Sequence, residues 1–183
     1  MAGAATVEVF AETALDPRET EAFYPMYLGA FSHLRTHAAA RQVLDQDEFF
    51  AEMDDPRVTK YVARTSDGEA VGLATLVTTL DLVPWISPEY YAARYPEQAA
   101  RGAVHYVGFM LSHPERRSGV AYPLMVNAIL TRCAEEHAAL LWDICAYNQA
   151  LGFADSLTAL VKRRTGEQVE TLDTQTYYGV AFP

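Results

Sequence analysis

The sequence predicts a single domain of the mixed α/β (α+β) class that extends over residues 1–183. The first observation is the order of the segments. Runs rich in β-forming residues alternate with runs whose apolar residues recur every three or four positions. The second is size, because 183 residues, half of them hydrophobic, suffice for one complete core and are few for two. The sequence shows no internal repeat, low-complexity tract or interdomain linker.

The first part of the chain predicts an edge strand followed by two helices. Residues 6–14 alternate loosely between apolar and acidic side chains, as an edge strand does. The pair at 16–17, Asp-Pro, marks a helix start, and helical spacing of apolar residues continues over residues 21–34. A second helix is predicted over residues 45–55, with an acidic start and a proline just beyond its end. Residues 36–44 fit either a continuation of the first helix or a loop.

A hairpin and an aromatic insertion follow. Residues 58–64 and 70–80 predict two strands, since an Asp-Gly pair between β-rich runs is a strong hairpin signal. Residues 82–102 hold one tryptophan and three tyrosines but are interrupted by prolines, which predicts an inserted loop with at most a short helix capped by Ser87. We interpret this insertion as a possible substrate lid that contributes Trp85, Tyr90 and Tyr91 to a binding pocket. The alternative is a loop whose aromatic side chains fill the edge of the core.

The central stretch predicts a strand, a basic turn and a helix. Residues 104–111 are apolar and rich in β-branched and aromatic side chains, which indicates a buried strand. Residues 124–133 have the apolar spacing of a helix with one buried face. Between them lies a short turn with two arginines and a glycine. A strand that leads through such a turn into a helix directs several free backbone N–H groups at one point, a geometry that binds phosphate or pyrophosphate.

The remaining chain predicts a strand over residues 139–147 that ends at Asn148, and then a helix over residues 150–164. The cations in the last turn of that helix and the glycine after it favour a helix end there. Residues 169–171 and 176–182 are predicted as two terminal strands.

The turn has the form Arg-x-x-Gly-x-Ala, from Arg116 to Ala121. It resembles the Gln/Arg-x-x-Gly-x-Gly/Ala signature of the GNAT superfamily of acyl-CoA-dependent N-acyltransferases. The predicted order of elements is also similar to the GNAT fold, over nearly the whole chain. The resemblance implies a mixed, mostly antiparallel central sheet with helices on both faces. It also implies that acetyl-CoA or another acyl-CoA is the co-substrate, with its pyrophosphate held by the main-chain amides of the turn.

Carried over residue by residue, the resemblance implies a coenzyme A site on the central strand and turn. The backbone of Phe109, Met110 and Leu111 would pair with the pantetheine arm, and Asn148 could hydrogen-bond the same arm. The pyrophosphate would lie on the turn, which is formed by Arg116, Arg117, Ser118, Gly119, Val120 and Ala121. The turn departs from the family pattern in its middle, where Arg117 and Ser118 replace a more usual glycine and basic pair.

Direct acyl transfer to an amine needs a base for the ammonium and an acid for the departing thiolate. The central strand carries no carboxylate, so His105 is the candidate base, and strict alternation would place it on the same face as Leu111. The alternative is a hydrogen-bonded strand histidine near the sheet end. The resemblance implies a tyrosine in the helix after Asn148 that acts as the general acid and protonates the thiolate. That helix contains no tyrosine. Tyr147 is a substitute, with water as the alternative.

The acidic composition indicates which classes of binding partner to expect. The net charge of −10 and the pI of about 4.9 do not favour nucleic acid or anionic lipid, and they suit a cationic small-molecule amine. No apolar run is long enough for a membrane span, no signal sequence is recognised, and two cysteines form no metal cluster, so we expect a cytoplasmic protein without a metal. The sequence leaves a homodimer open. It also leaves a second function open, that of a catalytically altered acyl-CoA sensor or interaction module.

Overall fold

A computed structural model describes residues 6–113 and 119–183 of the chain. Within these residues, five strands form one sheet whose spatial order follows the chain order: β1 (Val7–Glu12), β2 (Val58–Thr65), β3 (Ala70–Val77), β4 (Val104–Ser112) and β5 (Ala139–Leu141). Neighbouring strands from β1 to β4 are antiparallel, and β5 is parallel to β4. The predicted mixed, mostly antiparallel sheet is therefore confirmed.

Eight helices accompany the sheet in the described part of the chain: α1 (Pro17–Phe31), α2 (Leu34–His37), α3 (Gln46–Asp54), α4 (Pro88–Arg94), α5 (Pro96–Ala100), α6 (Ala121–Glu135), α7 (Ala146–Ala150) and α8 (Phe153–Thr165). A single 3-10 turn, Leu80–Leu82, follows β3. Among the described residues, no helix combines the length and the apolar character that crossing a membrane requires.

The two faces of the sheet are covered by different helices. On one face, α1 and α3 bury a hydrophobic cluster rich in aromatic side chains against β2, β3 and β4, which we call the aromatic cluster. Its fully buried members include Phe23, Tyr27, Phe49 and Met53. On the other face, α6 buries Met125, Ile129 and Cys133 against Tyr61, Ala63, Ala74 and Leu76. Strand alternation accounts for this division, because successive side chains point to opposite faces. The predicted helices on both faces are confirmed.

Local signals in the sequence explain where the first elements begin. The Asp16 carboxylate accepts a hydrogen bond from the Arg18 backbone N–H at 2.9 Å, and a proline occupies the first turn of α1. Asp45 and Glu48 form a reciprocal capping box at the start of α3. In the hairpin between β2 and β3, Gly68 adopts a φ of +88°, which an L side chain rarely tolerates.

The pairing of β3 with β4 contains a β-bulge. Ala74 is opposite Met110 and Leu76 is opposite Val107, so Thr75 alone faces two residues of β4. The bulge reverses the alternation along β4. Val107 and Met110, three positions apart, both contact the α6 face, and Leu111 lies on the α1–α3 face.

Several predicted boundaries are wrong. The strand predicted over residues 139–147 ends at Leu141, and its last residues belong to α7. The insertion at 82–102 is not one loop but contains α4 and α5, with Ser87 capping α4 as expected. For residues 36–44, where the sequence allows a helix or a loop, the structure has a single helical turn over 34–37 and a loop over 38–45.

The two predicted terminal strands are also wrong. Residues 166–183 have neither helix nor strand in the structure. Instead of entering the sheet, the first part of this tail packs against the insertion: the Tyr90 hydroxyl donates to the Leu172 carbonyl at 3.0 Å, and Arg94 pairs with Glu170 at 2.7 Å. A strand forms only where another strand supplies hydrogen-bond partners, and this contact gives the tail a different surface to bind.

Candidate functional site

The central feature of the candidate site is an opening between β4 and β5. The two strands pair only where Val104–Tyr106 faces Ala139–Leu141. Beyond this point β4 continues to Ser112, while the chain after Leu141 turns away and enters α7. In the described chain, the part of β4 from Val107 onward therefore has a strand neighbour on its β3 side alone. The bulge at Gly108 and Phe109 lies at the narrow end of this opening.

The N-terminus of α6 lies at the other end of β4. Val120 occupies the N-cap position and has no polar side chain with which to cap the first turn. Gly119 and Val120 are exposed, and no described atom lies within 4 Å of the position that a Cβ on Gly119 would occupy. Ala121, in contrast, is fully buried. Within residues 6–113 and 119–183, nothing therefore covers the N-terminal end of α6, where the first N–H groups lack intrahelical partners and the helix dipole is positive. Arg116, Arg117 and Ser118 lie outside the described residues.

The residues predicted to line the opening are close to it. Phe109 packs on the aromatic cluster of α1 and α3, and its backbone N–H donates to the Thr75 hydroxyl at 3.2 Å. Leu111 is buried on the same face, whereas Met110 points to α6. Asn148 is half-buried in α7, immediately past the segment where β5 separates from β4.

Tyr147 is on the same side of the sheet as Phe109. It is a residue of α7, not of a strand, and it packs against the α1–α3 aromatic cluster. Its ring also contacts two histidines, one at the N-cap of α2 and one in α2, with centroid distances of 5.7 Å to His33 and 4.5 Å to His37. The structure thus brings Tyr147 to the face of β4 where Leu111 lies.

His105 has a different environment. The residue is 2% exposed, and its Nε2 lies 2.5 Å from a Glu136 carboxylate oxygen at the C-terminal end of α6. Burial raises the pKa of Glu136, but hydrogen bonds from Arg132 and His105 outweigh burial and hold the pKa below its usual value. The prediction that His105 shares a face with Leu111 is wrong, because the extra residue of the bulge reverses the alternation between them. This geometry favours the alternative, a hydrogen-bonded strand histidine.

The aromatic side chains of the insertion divide into two groups. Trp85 donates from Nε1 to the Tyr106 hydroxyl at 3.0 Å, and Tyr106 in turn donates to the Asp143 carboxylate. Burial, and then the negative charge of Asp143, raise the pKa of Tyr106. Tyr91 is half-buried in the core cluster beneath the insertion. Its burial, and then the charge of Asp143, raise its pKa. Tyr90, in contrast, binds the C-terminal tail.

Sequence reasoning missed two acidic residues near β4. Asp143 follows β5 and is exposed beside Tyr106. Glu52 of α3 lies against the bulge: its Oε1 is 3.4 Å from the position that a Cβ on Gly108 would take. A sequence signal for Glu52 existed, because it lies three residues after Phe49 and one before Met53, on the buried side of an amphipathic helix. A carboxylate on an apolar helix face needs an explanation.

Comparison with known proteins supports the fold. No family model matches the chain, and no curated protein matches its sequence. Among solved structures, the aminoglycoside N-acetyltransferase AAC(6')-Iy in complex with CoA superposes with a TM-score of 0.56 at 14% identity, over 99% of both chains. The ribosomal-protein-alanine N-acetyltransferase from Brucella melitensis biovar Abortus 2308 gives 0.50 at 14% identity, over 97% of this chain and 100% of that one.

A third structure, FeeM, an N-acyl amino acid synthase from uncultured soil microbes, gives a TM-score of 0.52 at 16% identity, over 80% of this chain and 77% of that one. These likenesses confirm the GNAT fold that the turn motif and the element order predicted.

Proposed function

We propose that the protein is an acyltransferase that moves an acetyl or other short acyl group from coenzyme A to the amine of a small molecule. The observation that carries the proposal is the opening between β4 and β5, which begins at a bulge and leads toward the N-terminus of α6, where the N-cap residue has no polar side chain. One end of this opening suits a diphosphate and the other suits the extended arm of a thioester. The solved structures of similar fold include two N-acetyltransferases and an N-acyl amino acid synthase, in agreement with this assignment.

The coenzyme A residues follow from this placement. The backbone amides of Gly119, Val120 and Ala121 would hold the pyrophosphate, with Arg116, Arg117 and Ser118 completing the turn. An extended pantetheine arm would pair with the unpaired edge of β4 at Phe109–Leu111, as an added strand pairs with a sheet edge. Asn148 would donate to the arm from α7, on the far side of the opening.

The reaction is direct attack of a neutral amine on the thioester carbonyl. The new C–N bond forms as the C–S bond breaks, and the sulfur leaves with the bonding electrons. Tyr147 is the proposed proton donor to this sulfur, because it lies on the α1–α3 side of β4 and is only half-buried. His105 was the candidate base, but its ring is engaged by Glu136 on the α6 side. We therefore assign it a positioning role at the start of β4.

The acceptor pocket is proposed at the Trp85–Tyr106–Asp143 group. Tyr106 lies on the same face as Phe109 and three residues before it, about 10 Å along the strand. The exposed Asp143 carboxylate would bind a protonated amine, and the faces of Trp85 and Tyr91 would stack on the acceptor. A chain with a net charge of −10 would also attract a cationic acceptor.

The test combines calorimetry with acetyl-CoA and a free-thiol assay over a panel of amines. We expect binding and thiol release. The matched pair Gly119→Ala and Gly119→Glu tests the phosphate site. No described atom would touch an alanine Cβ, so the first variant should keep acetyl-CoA affinity within about threefold. The second variant places a carboxylate among the amides and should weaken binding about 100-fold or more. Equal affinities of the two variants would contradict the proposed site.

A second candidate function is an acyl-CoA-binding sensor or interaction module with catalysis lost. One observation favours it: α8 carries no tyrosine, and the substitute Tyr147 packs against His33 and His37 instead of standing free in the opening. Tight binding of acetyl-CoA without thiol release on any amine would favour the sensor over the transferase.

A further inference from the structure

The bulge of β4 holds a carboxylate on its α1–α3 face. A Cβ on Gly108 would lie 2.5 Å from the Thr75 hydroxyl oxygen and 3.4 Å from Oε1 of Glu52. Only a glycine leaves this space clear. The Thr75 hydroxyl is held in place by the Phe109 backbone N–H, which donates to it at 3.2 Å. Gly108 thus gives the Glu52 side chain direct access to the bulged backbone of β4.

Glu52 is half-buried, and one of its two carboxylate oxygens is fully buried. Among the described residues, none hydrogen-bonds to its Oε1, which has no contact with solvent. Burial raises the pKa of the carboxyl group, and the Thr75 hydroxyl and the Lys60 charge lower it without outweighing burial, while Asp55 adds to the rise. From α1, Tyr27 also faces it, with a pKa raised to about 12 chiefly by its own burial. On β4, Gly108 and Phe109 contribute no charge.

The position of Glu52 gives this carboxylate a chemical context. The bulge is at the narrow end of the β4–β5 opening, where the thioester would arrive if the arm lies along β4 from the N-terminus of α6. Glu52, an incompletely hydrogen-bonded acid with a raised pKa, therefore lies at the point where an amine would be acylated. Acids of this kind are concentrated at catalytic sites.

We propose that Glu52 is the general base of the acyl transfer, an inference that rests on the proposed function. The carboxylate takes one proton from the acceptor ammonium, directly or through a single water, and leaves a neutral amine. The amine nitrogen bonds to the thioester carbon, and the sulfur departs with the C–S electron pair. Tyr147 protonates the sulfur to the free thiol, and the nitrogen loses a second proton, which restores the tyrosine hydroxyl. The proton on Glu52 returns to solvent, so the balance is one amide, one thiol and one released proton.

The experiment compares Glu52→Gln with the full wild-type chain. The probes are acetyl-CoA and three amines: tyramine, spermidine and sisomicin. We expect the variant to reduce kcat by 100-fold to 10,000-fold, the usual contribution of a general base. The KM for acetyl-CoA should stay within about threefold, and the acid limb of the wild-type pH–rate profile should disappear. Asp54→Asn removes an exposed carboxylate from the same helix and should leave kcat and the profile unchanged.

Stability separates a catalytic role from a structural one. Because the folded-state pKa of Glu52 is raised, its contribution to stability is complete below the ordinary pKa of 4.5 and declines as pH rises through the folded value. Removing the charge should therefore leave the glutamine variant as stable as wild type, or more stable, at pH 8. If the Glu52 carboxylate had a merely structural role, the glutamine variant would be less stable than wild type at pH 8. A variant that unfolds more easily at pH 8, or one with kcat within threefold of wild type, would overturn the inference alone. Wild-type binding of acetyl-CoA without turnover of any of the three amines would overturn the proposed function together with it.

Discussion

The substitution Gly108→Ala tests the packing of the bulge most directly. The new Cβ would lie 2.5 Å from the Thr75 hydroxyl oxygen, about 1 Å inside ordinary contact. Thr75 is fully buried on β3, and its hydroxyl accepts from the Phe109 N–H, so it cannot move aside without breaking that hydrogen bond. Overpacking of this kind typically costs about 1–3 kcal/mol. For a chain of this size we expect a fall in Tm of roughly 2–12 °C.

Thermal and urea denaturation would measure the loss, and Gly29→Ala provides the matched control. Gly29 is in the last turns of α1, where no described atom lies within 4 Å of the added methyl group. There alanine should raise helix propensity and stabilise the fold by up to about 1 kcal/mol. The two Gly-to-Ala changes should thus have opposite signs. If Gly108→Ala were as stable as wild type, the close approach of Thr75 to β4 would be refuted, and with it the placement of Glu52 against the bulge.

Three further predictions follow from the same face of the sheet and from the tail. Lys60→Met removes an ammonium that donates to the carbonyls of Thr13 and Asp55 at 2.9 and 2.6 Å. The free energy of unfolding in urea should therefore fall by about 2–4 kcal/mol, and a fall of less than about 1 kcal/mol would contradict this role. Tyr147→Phe should lower kcat without changing the KM for acetyl-CoA, whereas an unchanged kcat would assign thiolate protonation to water. If the protein is a homodimer through its exposed aromatic tail, removal of residues 175–183 should convert it to a monomer in light scattering, and a dimer that survives truncation would exclude the tail as the interface.

The order of the elements could be predicted from the sequence because each has a local cause. The Asp16 cap, the Asp45 capping box and the Asp-Gly hairpin act within a few residues, so periodicity and turn chemistry suffice to find them. The strand and the helix that flank the predicted coenzyme A turn could be predicted for the same reason, since they and the glycine between them are close together in the chain. Arg116 and its neighbours, however, remain a prediction from the motif.

Features that depend on a partner distant in sequence could not be predicted. The bulge arises where Thr75 of β3 meets two residues of β4, and nothing within β4 itself announces it. Strict alternation therefore predicts His105 on the face of Leu111, whereas the bulge places it on the α6 face. The terminal strands failed for a related reason: β propensity at 176–182 is high, but a strand also requires an edge to pair with. In the structure the preceding residues are held at the insertion instead.

Two charged side chains on the α1–α3 face show why an unsatisfied group deserves more weight than a merely buried one. Lys60 is fully buried, and its ammonium donates to the backbone carbonyls of Thr13 and Asp55. These two hydrogen bonds give the Lys60 charge a structural role. Glu52, on the facing helix, has a buried oxygen, Oε1, to which no described residue hydrogen-bonds, and the nearby Thr75 hydroxyl does not lower the carboxyl pKa enough to offset its burial. Because a buried acceptor without a partner lowers stability, its presence at the bulge is best explained by the proton that it would remove there.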